Sequence, residues 1–213
     1  MPGLRIAVAD QKGGTGKTTL ALNLAAGLQR RGSTLVLDAD PQASISQWAA
    51  MGDDESGHLP VVQAVAQDNV PARIAQGTRG HRYVVIDCPP TLQTATVGDV
   101  LNSVDVLLVP IQPSPVDLWA SVDIAAAVRH SRLHNPRLKA FVVLNQLDSR
   151  NALSRSMHEA LAELEFPTLR AGLGRRAAYR SAAVEGTSVY GLGHRGKAAA
   201  REVEALIEEL LQS

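Results

Sequence analysis

Five short runs of aliphatic and β-branched residues punctuate the chain: Leu4–Ala9, Thr34–Asp38, Tyr83–Asp87, Val106–Pro110 and Phe141–Leu147. Each is nearly continuous in apolar character, the pattern of a strand covered on both faces. Between these runs the spacing turns helical. Lys17–Arg31 sets Leu20, Leu24 and Leu28 on one face, and Gly32 offers a stop. Further helices are expected over Gln42–Met51, Val61–Gln76, Asp117–Leu133, Leu153–Glu165, Ala177–Glu185 and Lys197–Gln212, with Pro71 kinking or breaking the second of these. The polar stretch Gly52–Pro60 reads as a loop. Such alternation predicts an α/β fold in three layers, a mainly parallel twisted sheet with helices on both faces. No repeat or low-complexity tract divides the sequence, so residues 1–213 read as one domain. A first strand opening near residue 4 is expected to leave no room for an extra N-terminal DNA-binding domain.

Composition narrows the chemistry. Hydrophobic residues make up 45% of the chain but aromatics only 3%, so the core must be built from Ala, Val, Leu and Ile. Lys plus Arg and Asp plus Glu stand at 21 each, so any basic surface has to come from local clustering. The single cysteine, Cys88, rules out an internal disulfide and suits a reducing cytoplasm; between an acidic strand end and two prolines it reads as a buried, inert thiol. There is no signal-peptide layout and no apolar run approaching the roughly 20 residues of a membrane span.

The decisive segment is Lys12-Gly13-Gly14-Thr15-Gly16-Lys17-Thr18-Thr19, set between the first strand and the first helix. Glycines let a loop curl so that its N–H groups converge on phosphate oxygens, and the helix N-terminus adds a favourable dipole. Lys17 would reach the outer phosphates and the Thr18 hydroxyl would ligate Mg²⁺. The first glycine of the general phosphate-loop pattern is missing, since position 11 is Gln11, and an extra lysine stands at position 12. This arrangement resembles the deviant Walker A motif of the ParA/MinD superfamily of ATPases. The resemblance implies that Lys12 crosses a dimer interface to touch the phosphates held by the other subunit, a cationic finger supplied in trans.

Two strand ends are acidic: Asp38-Ala39-Asp40-Pro41-Gln42 and Asp87-Cys88-Pro89-Pro90. In a parallel sheet the carboxyl ends of neighbouring strands face one crevice, so three carboxylates are expected near the phosphate loop. Mg²⁺ keeps several waters, and Asp87, with Asp38 beside it, would hold the ion through water. The same segments resemble switch I and switch II of the family. That likeness gives Asp40 the role of orienting or activating the attacking water, against the plainer alternative of a helix N-cap before Pro41. In the family an Asn at the end of the last strand contacts adenine, which points to Asn145; the absence of a guanine-reading Asn-Lys-x-Asp sequence favours ATP over GTP. Gln112-Pro113-Ser114-Pro115 falls where the family places its dimer interface, with Trp119 packed there or in the core.

Two basic stretches remain, one of Arg170, Arg175, Arg176 and Arg180 around Tyr179 and one of His194, Arg195, Lys197 and Arg201. Arginine clusters contact DNA phosphates without reading sequence. Residues Gly174–Val189 also look like the C-terminal part of short ParA proteins. The first cluster is therefore the expected surface for non-specific DNA. The last helix sets Val203, Leu206, Ile207, Leu210 and Leu211 in one stripe opposite an acidic face, which fits docking on the domain and argues against a membrane. The resemblance as a whole implies a cytoplasmic, nucleoid-associated switch. It would dimerise with ATP and Mg²⁺, bind DNA, and hydrolyse ATP slowly until a cargo-bound adaptor protein stimulates it. The alternatives are a MinD-like ATPase acting at a membrane and, from another class, a metabolic ATP-dependent ligase or kinase.

Overall fold

The computed structural model describes residues 3–52, 59–66, 69–91, 94–148, 161 and 167–213, with only the backbone described for 115–123. In chain order the elements are β1 (Leu4–Val8), α1 (Lys17–Gln29), β2 (Thr34–Asp38), α2 (Ser44–Ala50), β3 (Val61–Ala64), α3 (Val70–Gly80), β4 (Tyr83–Asp87), α4 (Ala95–Ser103), β5 (Val106–Ile111), α5 (Pro115–Arg132), β6 (Lys139–Leu144), α6 (Ala177–Val184) and α7 (Lys197–Gln212). A short 3₁₀ turn, Gly193–Gly196, leads into α7.

The described strands pair in parallel as one six-stranded sheet of order β3-β2-β4-β1-β5-β6. Alternate residues of β1, β2, β4, β5 and β6 feed two cores. Ala7, Leu35, Leu37, Val84, Ile86, Leu107 and Val142 lie in one, with residues of α3, α4 and α5. Ile6, Val8, Val36, Val85, Leu108 and Val143 lie in the other, with α1, α2, α6 and α7. Apolar residues run unbroken along the strands because both faces are covered. The chain leaves β1 toward β2 on one side and reaches β5 on the other. The order therefore reverses around β1, and a crevice opens at its carboxyl end.

Three expectations need correction. Val61–Gln76 is not one helix: Val61–Ala64 forms the edge strand β3, and α3 starts only at Val70, with Pro71 inside its first turn rather than at a break. The last strand ends at Leu144, so Asn145 and Gln146 stand beyond it. Leu211 is 42% exposed and lies off the buried stripe of Val203, Leu206, Ile207 and Leu210. Helix α1 is buried nearly all round, because α7 covers the side turned away from the sheet. The predicted helix Leu153–Glu165 and the Trp119 side chain lie outside the described residues, apart from Leu161, which is buried in the core.

Candidate functional site

The loop from Asp10 to Gly16 follows β1 and feeds α1. Gly14 and Gly16 adopt φ values of 81° and 92°, a left-handed conformation that side chains resist. At Gly16 the restriction is also steric, since a Cβ would lie 2.3 Å from the Asn145 amide nitrogen. Gly16 is the N-cap of α1 and supplies no side-chain cap. The first N–H groups of α1 therefore have no cap from this residue, the arrangement by which a helix N-terminus takes an anion.

Side chains hold the loop from behind. Asn145 Nδ2 donates to the Thr15 carbonyl at 2.7 Å, Gln112 Nε2 to the Gly14 carbonyl at 2.7 Å, and Gln146 Nε2 to the same carbonyl at 3.4 Å. These amides sit just past β5 and β6. Gln146 reaches the loop from a positive φ of 56°, the kind of strain that collects at functional sites. Lys17, 7% exposed, bends back so that its Nζ donates to the Lys12 carbonyl at 2.7 Å. Burial lowers its pKa, against the opposing pull of Asp10, Asp87 and Asp40. Lys12 itself is half-buried.

Asp38 and Asp87 are register partners at the ends of β2 and β4. Both are buried, at 2% and 1% exposure, but their surroundings differ. Asp38 Oδ2 accepts from the Ser46 hydroxyl at 2.6 Å and its backbone N–H at 3.0 Å, and Oδ1 accepts from the Asp40 N–H at 3.2 Å. Asp87 Oδ2 accepts from the Thr18 hydroxyl at 2.8 Å, while Oδ1 is buried with no hydrogen-bond partner among the described residues. Burial, with Asp38 and Asp40 nearby, pushes the Asp87 pKa up to about 7, although the Thr18 hydroxyl and Lys17 pull the other way. A buried carboxylate oxygen without a donor is what a cation is suited to satisfy. Thr18 and Asp87 thus fit Mg²⁺, which takes few protein ligands. Among the described residues no three His, Cys, Asp or Glu side chains form a closed metal cluster, so the three carboxylates share the crevice without making a cage.

Asp40 does not cap α2. Its Oδ1 accepts from the Gln42 N–H at 2.9 Å and its carbonyl from the Ala43 N–H at 2.8 Å. These bonds make a turn, and the helix begins only after Ala43, whose φ is 52°. Cys88 is fully buried between the acidic strand end and the prolines, and burial raises its thiol pKa.

Sequence reasoning assigned the first arginine cluster to DNA. The structure brings Arg175, Arg176 and Arg180 together with Gly16, Thr19, Asn145, Gln146 and Tyr179 around a pocket of 210 Å³ beside the phosphate loop. Arg176 pairs with Glu202 at 2.7 Å. Arg170 is exposed and stands outside the pocket, its backbone N–H donating to Glu209 at 2.9 Å. The pocket wall is secured from α7: Glu202 also accepts from the Gly174 N–H and the Tyr179 hydroxyl, each at 3.1 Å. Sequence reasoning missed Ser46 and Glu202, and although Gln112 was placed near a dimer interface and Gln146 in the last strand, their bonds to the loop were not foreseen.

The CobQ/CobB/MinD/ParA nucleotide binding domain model matches residues 6–189. Maintenance of carboxysome distribution protein A of Halothiobacillus neapolitanus is 41% identical over 98% of this chain and 96% of its own length. Chromosome partitioning protein ParA of Caulobacter vibrioides is 31% identical over 71% of this chain and 73% of its own. Among solved structures, the septum site-determining protein MinD complexed with Mg-ADP from Pyrococcus horikoshii superposes with a TM-score of 0.76 at 19% identity, covering 98% of this chain and 97% of that one. That likeness shows the fold, an α/β P-loop arrangement. The loop geometry, the sheet order and the extent of these matches together place the chain in the ParA/MinD family of nucleotide-binding positioning ATPases.

Proposed function

We propose that this chain is an ATP-driven dimerising switch that positions a protein organelle of the carboxysome type on non-specific DNA. The observation that carries the reading is the phosphate loop itself. Left-handed Gly16 opens α1, Lys17 is folded under the loop, and Thr18 touches Asp87. A relative that matches over 98% of this chain and 96% of its own length is a carboxysome distribution protein, which supports the cargo class.

In this reading the loop N–H groups and Lys17 bind the phosphates of ATP, and the Thr18 hydroxyl with Asp87 holds Mg²⁺. The bound ion supplies positive charge to the phosphate oxygens. Asp40 sits on a turn pinned by Asp38 and Ser46, and from there it orients the attacking water. Lys12, half-buried in the loop, serves the nucleotide of a second copy. Asn145 anchors the loop through Thr15 and lines the base pocket. DNA binding is supported by the exposed arginines Arg170, Arg175 and Arg180, with Arg176 tied to Glu202. An adaptor protein on the cargo stimulates hydrolysis, and the pair dissociates from the nucleoid. All 213 residues act as one ATPase domain.

Light scattering of the full chain with Mg²⁺ and either ATP or ADP tests this. The expected result is a doubled mass in ATP only, lost in both Lys12→Ala and Lys17→Ala. A mass unchanged by nucleotide would overturn the switch, and dimers unaffected by both substitutions would overturn the loop roles.

A further inference from the structure

Three side-chain amides from the ends of two strands converge on two successive peptide groups of the phosphate loop. Gln112 Nε2 and Gln146 Nε2 donate to the Gly14 carbonyl at 2.7 and 3.4 Å, and Asn145 Nδ2 donates to the Thr15 carbonyl at 2.7 Å. These side chains are rooted in the sheet. Gln112 directly follows Ile111, the buried last residue of β5, and the Asn145 N–H donates to the Ile111 carbonyl at 2.8 Å. Gln146 is bracketed by further bonds: its own N–H donates to Asn145 Oδ1 at 2.9 Å, and the Leu147 N–H donates to the Leu173 carbonyl at 2.9 Å. Between them it keeps a φ of 56°, a left-handed conformation that costs energy in a residue with a Cβ.

We propose that Gln112, seconded by Gln146, is a positioning residue for the triphosphate, acting by fixing the direction of the Thr15 N–H. The proposal rests on the ATP-binding reading above. In a trans peptide the carbonyl and the following N–H point to opposite sides of the same plane, and no peptide is cis among the described residues. Holding the Gly14 carbonyl from behind therefore turns the Thr15 N–H the other way. Holding the Thr15 carbonyl does the same for the Gly16 N–H. Gly14 and Gly16 take positive φ and Thr15 between them does not, an alternation that gathers successive N–H groups into an anion-binding hollow. Glycine leaves the Gly14–Thr15 peptide free to rotate, and a rotated peptide would turn its carbonyl oxygen on the phosphate. The amides hold the loop in its receptive form before the ligand arrives, so that less ordering has to accompany binding. The two glutamines are not equal. Gln112 makes a full hydrogen bond and Gln146 lies at the limit of one, so Gln112 carries the larger share.

The test compares full-length wild type, Gln112→Met and Gln146→Met, since methionine keeps the reach of the side chain but has neither donor nor charge. A fluorescent ATP analogue is bound with Mg²⁺ and displaced by ATP or by inorganic tripolyphosphate, which has no base. Gln112→Met is expected to weaken ATP and tripolyphosphate by one common factor, roughly three- to tenfold. Gln146→Met is expected to weaken both by less than about twofold, in keeping with its longer bond. In steady-state hydrolysis Gln112→Met should raise KM for ATP by the same factor and leave kcat within about twofold, because these N–H groups hold ground state and transition state alike. Its denaturation midpoint without nucleotide should match wild type. A Gln112→Met chain that binds both ligands as wild type does overturns the positioning role and leaves the ATP reading standing. A wild type that binds neither ligand overturns both. Weaker ATP with unchanged tripolyphosphate would put the effect on the base side and overturn the proposal. A lowered midpoint with unchanged affinities would do so too, by showing a structural role only.

Discussion

The ends of β2 and β4 carry the same residue in the same register, yet the two carboxylates are bonded differently. Asp38 satisfies its oxygens within its own loop, through Ser46 and the Asp40 N–H. Asp87 reaches across to Thr18 and retains one buried oxygen with no donor among the described residues. Burial alone does not separate them, since both are almost inaccessible. What separates them is the donors that the following segment supplies. After β2 the chain turns back through Ala43 and delivers Ser46 to Asp38. After β4 it runs into Pro89 and Pro90, which have no N–H to offer. The contrast ties Asp38 to the turn that carries Asp40 and leaves Asp87 as the residue we propose for the ion.

The largest effect that would break this contrast is catalytic. Asp87→Asn is expected to reduce Mg²⁺-dependent ATP hydrolysis roughly a hundredfold, because the ion loses its charged partner. Asp38→Asn, which keeps an acceptor for Ser46, should reduce it far less in the same steady-state assay. Equal losses would erase the distinction. Ser46→Ala removes the hydroxyl bond to Asp38 and is expected to cost about 1.5 kcal/mol in chemical denaturation. ATP affinity should change little. Ala43→Gly relieves a left-handed residue with φ of 52° and is expected to stabilise the chain by roughly 0.5 to 1 kcal/mol in the same measurement. A destabilised variant would show that the turn does not hold this strain.

A control lies at the opposite end of the strands, where Arg5 of β1 meets Asp105 just before β5 at 2.5 Å. Burial would raise the Asp105 carboxyl, but bonds from the Arg5 side chain and backbone outweigh it, and the pKa is lowered. A carboxylate with a depressed folded pKa stabilises above its unfolded value, roughly 3.9, and loses that contribution as pH falls through the folded value. Both side chains are 35% exposed, so screening keeps the effect to about 1 kcal/mol or less. Denaturation of wild type and Asp105→Asn should therefore differ at neutral pH and converge in strong acid.

Much of the fold was legible because strands buried on both faces leave unbroken apolar runs, and five of the six described strands announced themselves so. Strand β3 did not. It is short, lies at the sheet edge and is half-exposed, and its Val61-Val62-Gln63-Ala64 continues into residues that also suit a helix. The phosphate loop was legible because its glycines and lysines are consecutive in sequence. Tertiary partners were not. Ser46 beneath Asp38, the amides behind the loop and Glu202 behind the pocket wall depend on which strands become neighbours. The arginines near residue 176 showed as a cluster, but only the fold reveals that they line the loop's own pocket.

The most direct test of the central claim is a crystal structure of the ATP-loaded pair, trapped by Asp40→Ala. The account predicts two nucleotides enclosed between two copies, with the Lys12 amine of each within hydrogen-bond distance of phosphate bound to the other. A pair in which Lys12 stays over its own loop, or ATP-bound chains that remain single, would contradict it.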